Sequence, residues 1–145
     1  MLPLQILPIQ HVLLADDDKD DCFLFKEAFE ELGIPARLTT VHDGEELMQL
    51  LNKKEKLPGI LFLDLNMPCK NGFICLTEIK QDQELKELPV VILSTSFQQE
   101  KVEQLHKEGA QHYVCKPNEF SHLKNLIHRA ISKPPEACFV LSNEI

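Results

Sequence analysis

The chain has 145 residues, 43% hydrophobic and 26% charged, which suits one ordinary globular domain with a real core. Its formal net charge of −8 at pH 7 argues against direct nucleic-acid binding and against an anionic membrane surface, since both reward clustered Lys and Arg. The opening MLPLQILPIQ is apolar but short, carries no basic residue and is broken by Pro3 and Pro8, so it reads as neither a signal peptide nor a membrane span. The five cysteines are an odd number without a C-x-x-C pair, and they read as free thiols of a cytoplasmic protein. The six histidines show no zinc spacing.

The first predicted strand is HVLLA (11–15), followed at once by five aspartates between Asp16 and Asp21. Cys22, Phe25, Phe29 and Leu32 then recur at helical spacing, and Gly33 stops that helix. RLTTV (37–41) is a mixed strand suited to a sheet edge, and Asp43 caps a helix carrying Leu47, Met48, Leu50 and Leu51. GILFL (59–63) and PVVIL (89–93) are almost continuously apolar, as strands buried on both faces are. Between them a helix from about Gly72 to Asp82 buries Phe73, Leu76 and Ile79. A thin helix over Gln98–Glu108 has only Val102 and Leu105 as its apolar stripe and stops at Gly109. HYVC (112–115) is the fifth strand, and the last helix, Phe120–Lys133, ends before Pro134-Pro135. Five alternations of strand and helix predict an α/β, flavodoxin-like fold with a five-stranded parallel sheet of order 2-1-3-4-5. Residues 10–133 form the domain, with 1–9 as an N-terminal extension and 134–145 as a C-terminal tail too short for an output domain.

In such a sheet ligands bind beyond the carboxyl ends of the strands, where the strand order reverses. Asp16 and Asp17 end the first strand and Asp64 the third, so three carboxylates distant in sequence meet in one pocket. Held that close, they need a divalent cation to stay ionised, and hard oxygen ligands with room for water suit Mg²⁺. Asn66, in the turn LDLNMPCKNG, can add its carbonyl to the metal shell. Ser94 ends the fourth strand and Lys116 the fifth. Three acids, a hydroxyl and an ammonium around one cavity make a phosphoryl site: a carboxylate attacks in line while metal, lysine and hydroxyl take the other oxygens. An EF-hand reading matches the spacing of Asp16, Asp18, Asp20 and Glu27 but fails at Asp21, where the calcium loop needs glycine. Asp18, Asp20 and Asp21 read instead as the acidic start of the first helix. No phosphate-binding glycine motif occurs among the five glycines.

The motifs LLADD, LFLDLNMPCKNG, VVILSTS and YVCKP, in that order over Gln10–Lys133, resemble those of response-regulator receiver domains of two-component signalling. The chain is most similar to the stand-alone receivers paired with bacterial phytochromes. The resemblance implies Asp64 as phosphoacceptor, Asp17 as a direct Mg²⁺ ligand, Asp16 as a ligand through water, Ser94 as the switch hydroxyl and Lys116 as the phosphate partner. It further implies Tyr113 as the aromatic that enters space vacated by Ser94, and a cis Lys116–Pro117 bond. Lys70 and Thr95 depart from the family pattern, the first in the loop after Pro68, the second beside the switch serine.

The reading is a cytoplasmic single-domain response regulator. It takes a phosphoryl group from a sensor histidine kinase or phosphotransfer protein and changes the surface of the fourth helix, fifth strand and fifth helix. That surface also serves as a possible homodimer face. Turnover is limited to loss of its own phosphate. Two rivals are an aspartate-nucleophile phosphohydrolase, which wants D-x-D where this chain has Asn66, and a phosphate-independent adaptor, whose mark would be loss of Asp64 or Lys116.

Overall fold

A computed structural model of the chain describes residues 9–95, 98–110, 112–117, 119–132 and 140–141. Strands and helices alternate as β1 (His11–Ala15), α1 (Lys19–Leu32), β2 (Arg37–Val41), α2 (Gly44–Asn52), β3 (Ile60–Asp64), α3 (Gly72–Gln81), β4 (Val90–Ser94), α4 (Gln99–Lys107), β5 (His112–Cys115) and α5 (Phe120–Ser132). The strands pair in parallel in the order 2-1-3-4-5, which is the flavodoxin-like arrangement expected. A two-residue strand, β6 (Val140–Leu141), adds a sixth member alongside Tyr113 and Val114 of β5. The sequence pattern predicts five strands, with residues 134–145 outside the domain. Two residues carry no alternation from which a strand can be read.

Alternating residues of the strands feed two cores, one per face of the sheet. Leu13, Leu61, Leu63, Val90 and Ile92 pack with Leu47, Leu51, Leu76, Ile79 and Leu105 of α2, α3 and α4. Val12, Leu14, Phe62, Val91 and Leu93 pack with Phe25, Phe29, Leu126 and Ile127 of α1 and α5. Phe25 meets Phe62 edge-on, centroids 5.0 Å apart, a geometry worth about 0.5–1.5 kcal/mol beyond area burial. The mixed strand β2 is half-exposed along most of its length, as its edge position requires. In α3 the buried stripe is Cys75, Leu76 and Ile79, while Phe73 is only partly covered and Ile74 is exposed.

Local chemistry sets the ends of the elements nearest the site. Asp18 has extended backbone, and its side chain accepts the Asp21 N–H at 3.0 Å, which starts α1. Gly33 closes α1 at φ 67°, where a side chain would be strained. Asp43 and Asn71 cap α2 and α3 in the same manner. Gly72 starts α3 with its Cα against the Asp64 carbonyl, so close that a Cβ would collide with it. Its N–H donates to the Leu65 carbonyl at 2.9 Å. Strand β3 and the helix after it therefore meet so closely only because residue 72 has no side chain.

Candidate phosphoryl-transfer site

The register brings the strand ends level. Ala15 lies opposite Leu63, Asp64 opposite Leu93 and Ser94 opposite Cys115. Asp64 and Ser94 are the last residues of their strands, so each is fixed by the ladder one residue below the loops. The Lys116 N–H donates to the Ser94 carbonyl at 2.7 Å, which ties the end of β5 to the end of β4. Asp16, Asp64 and Ser94 are the three buried polar residues among those described. They all stand at this one end of the sheet.

The carboxylates of Asp16, Asp17 and Asp64 each offer an oxygen, and these lie within 4.8 Å of one another. Asp16 and Asp64 are buried, whereas Asp17 is open to solvent. Asp16 Oδ1 accepts the Asp18 N–H at 3.0 Å, and Asp64 Oδ1 accepts the Asn66 N–H at 3.1 Å. Asn66 thus enters the site through its backbone N–H. The Asp16 carbonyl accepts from the Cys22 thiol at 3.3 Å and from His42 Nδ1 at 3.2 Å, which makes Nδ1 the protonated ring nitrogen. Burial pushes the Cys22 thiol up to about 12, so it is a packed donor and not a nucleophile.

Lys116 is the positive centre. Its Nζ donates to Asp16 Oδ2 at 2.9 Å, Asp21 Oδ2 at 2.9 Å and Asp64 Oδ2 at 3.3 Å, so its three protons meet three carboxylates. Burial works to lower its pKa, but the hydrogen bonds to Asp21 and Asp16 and the charges of Asp16 and Asp64 outweigh it and raise it. Asp16 goes the other way to the usual paired acid: burial lifts its pKa to about 6, more than its bonds to Asp18 and Lys116 can restore. One ammonium is shared among several acids, so the lysine is fully paid in charge while the deepest acid is not. An all-oxygen donor set of three carboxylates, two of them buried, fits a hard divalent cation.

Ser94 and Tyr113, the pair expected to form the switch, are already in contact. Tyr113 is buried and its hydroxyl is hydrogen-bonded to the Ser94 side chain; burial raises its pKa and that bond opposes the rise. The family resemblance implies that Tyr113 enters space vacated by Ser94, whereas in this conformation the ring is already inside. The Lys116–Pro117 bond is trans, since no cis peptide occurs among the described residues. The expected cis bond is thereby corrected, and trans is the ordinary preference even before proline. Thr95 is exposed. Lys70 is held by a salt bridge to Glu78 of α3 at 3.0 Å.

Asp21 is the residue the sequence reading assigned elsewhere. It was counted among the acids that start α1, and its N–H does join the cap, but its carboxylate belongs to the lysine. The spacing held a clue. Asp21 directly precedes Cys22, whose place in the apolar stripe turns that side of α1 toward the sheet.

The site lies where the strand order of this parallel sheet reverses, the place such folds use for ligands, and comparison with known proteins gives its family. The response regulator receiver domain family model matches residues 12–128, and the chain belongs to that family. Response regulator Rcp1 of Synechocystis is 31% identical over 125 residues, covering 83% of this chain and 85% of Rcp1. The crystal structure of the Mn²⁺-bound form of Rcp1 superposes with a TM-score of 0.78 at 28% identity, covering 86% of this chain and 96% of that one. That of the phosphorylated cyanobacterial phytochrome response regulator RcpA gives 0.75 at 33% identity, covering 82% and 89%. Receiver domains of this family are signalling modules of two-component systems and not enzymes acting on outside substrates. Among the described residues no helix is long and apolar enough to cross a membrane.

Proposed function

We propose that this chain is a response regulator receiver whose Asp64 accepts a phosphoryl group from the phosphohistidine of a sensor kinase or phosphotransfer protein. The observation that carries the reading is the Lys116 ammonium bonded at once to the carboxylates ending β1 and β3. An Asp64 carboxylate oxygen attacks phosphorus, the N–P bond breaks, and the imidazole nitrogen keeps the electron pair and takes up a proton. An acyl phosphate results. Lys116 moves from carboxylate to phosphoryl oxygen, and Ser94 turns its hydroxyl to another. Asp16, Asp17, Asp64 and the Asn66 carbonyl would hold Mg²⁺, which supplies positive charge to the phosphoryl oxygens. The Mn²⁺-bound Rcp1 and phosphorylated RcpA support that reading by similarity.

The signal leaves through Ser94. Turning toward the phosphoryl group, it gives up its bond with the Tyr113 hydroxyl, and the surface of α4, β5 and α5 responds. That surface is the proposed contact for partners or a second copy. Return to the resting state is hydrolysis of the acyl phosphate by water, which regenerates the Asp64 carboxylate. A cytoplasmic location and the division into 1–9, 10–133 and 134–145 belong to the same reading.

Incubation with acetyl phosphate and Mg²⁺ followed by intact mass tests it. One added phosphoryl group is expected, lost in Asp64→Ala and with chelator. An unmodified wild-type mass would favour the phosphate-independent adaptor, and steady turnover of small phosphoesters the phosphohydrolase.

A further inference from the structure

Lys116 has three carboxylate partners, and they are not equivalent. Asp16 and Asp64 are members of the group whose oxygens lie within 4.8 Å of one another, and Asp21 is not. Asp16 and Asp64 side chains are 2% and 7% exposed, while that of Asp21 is 37% exposed, at the rim. Asp21 is also braced from behind, because its N–H is bound by the Asp18 cap at the start of α1. A carboxylate on a capped first turn is a firmer anchor than one on a loop.

The two inner partners are also the two that the proposed reaction takes away. Asp16 and Asp64 would also be residues that hold a divalent cation, whose charge would compete with the ammonium for their oxygens. Once Asp64 carries a phosphoryl group the ammonium can bond a phosphoryl oxygen, so the gap in its support falls before transfer, when metal would be bound and no phosphoryl oxygen has arrived. Lysine is a point charge on a flexible four-carbon stem, so an ammonium that loses both partners swings into water unless a third holds it. We propose that Asp21 is a positioning residue: its carboxylate keeps the Lys116 ammonium at the mouth of the pocket while Asp16 and Asp64 are engaged. The inference rests on Asp64 being the phosphoacceptor, and it deepens that reading by naming what holds the lysine ready. A role confined to helix initiation would leave the Asp21 carboxylate facing water or α1, yet it meets a side chain 95 positions away in sequence.

The decisive measurement follows the Lys116 ammonium by ¹⁵N–¹H spectroscopy, with the resonance assigned from its loss in Lys116→Gln. In wild type a slowly exchanging ammonium is expected both without metal and at saturating Mg²⁺. In Asp21→Asn it persists without metal, where Asp16 and Asp64 remain, and disappears with Mg²⁺; Asp21→Glu, which keeps the charge, retains it. Phosphorylation by acetyl phosphate at saturating Mg²⁺ should fall roughly tenfold in Asp21→Asn and return to within about twofold of wild type in Asp21→Glu. Persistence of the ammonium signal in Asp21→Asn with Mg²⁺, or its absence from wild type with Mg²⁺, overturns the proposal whatever the rates. A wild-type protein that takes up no phosphoryl group defeats the phosphoacceptor reading instead, and the two failures are told apart by mass.

Discussion

Helices α1 and α4 each follow a strand that ends at the site, and they are built to opposite standards. Asp18 caps α1 through its side chain, Asp20 and Asp21 favour its dipole, Gly33 closes it, and Cys22, Phe25, Ala28 and Phe29 are buried beneath it. At α4, Gln98 makes no side-chain cap bond, the helix has nine residues, and Leu105 is its fully buried apolar anchor, with Val102 partly covered. The strand before α1 leads into the acids, which in the proposed function stay in place to hold a cation. The strand before α4 carries Ser94, which in that proposal moves. Rigidity is concentrated where charge is stored, and looseness where a change has to be passed on.

The widest contrast is in the cores under the two helices. Phe25→Ala leaves a cavity against Phe62 in a tightly held helix and should cost about 3–5 kcal/mol in urea denaturation. Leu105→Ala should cost about 2 kcal/mol, the low end for a buried leucine, because a helix with so few anchors can settle into the space. Equal losses would mean that α4 is as firmly seated as α1.

The acid end of β1 can be isolated by pH. Asp16 has a folded-state pKa of about 6 against 3.8 for the free group, so between those values the folded protein holds a proton that the unfolded chain releases. Its contribution therefore lowers stability as pH rises through that window, and the penalty is complete above it. Metal-free Asp16→Asn should lose this slope and melt roughly 2–8 °C above wild type at pH 7.5, while Mg²⁺ stabilises the wild type more than the variant. A variant that melts lower would show that the Lys116 bond outweighs the burial of the acid.

How much of this could be read from the residues follows the same division. The apolar runs of β1, β3 and β4 and the acids and lysine at the strand ends were legible, because a parallel sheet puts every strand's carboxyl end at one side. Asp21 was not, since an acid in a first helical turn is fully explained by the dipole, and nothing local reveals a lysine 95 residues on. The buried position of Tyr113 was not legible, because the packing of one ring depends on the core around it and not on the local sequence. The sixth strand is too short to carry a pattern.

The finest difference between the two helices lies in their first residues, and it can be exchanged. Asp18→Ala should cost about 1 kcal/mol, the usual worth of an N-cap, because the Asp21 N–H loses its acceptor. Gln98 has the extended backbone of an N-cap, φ −134° and ψ 121°, close in kind to the φ −85° and ψ 114° of Asp18. What it lacks is a side chain short enough to turn back on the helix. Gln98→Asp supplies one, and the gain should be about 0.5–1 kcal/mol, seen as amide exchange in α4 slowed roughly two- to fivefold with α1 unchanged. A stiffer α4 must then be moved by the same phosphoryl contacts, so the exchange difference between phosphorylated and free protein should shrink in this variant. If α4 exchange does not slow, its looseness comes from the thin contact through Leu105 and Val102 and not from the missing cap.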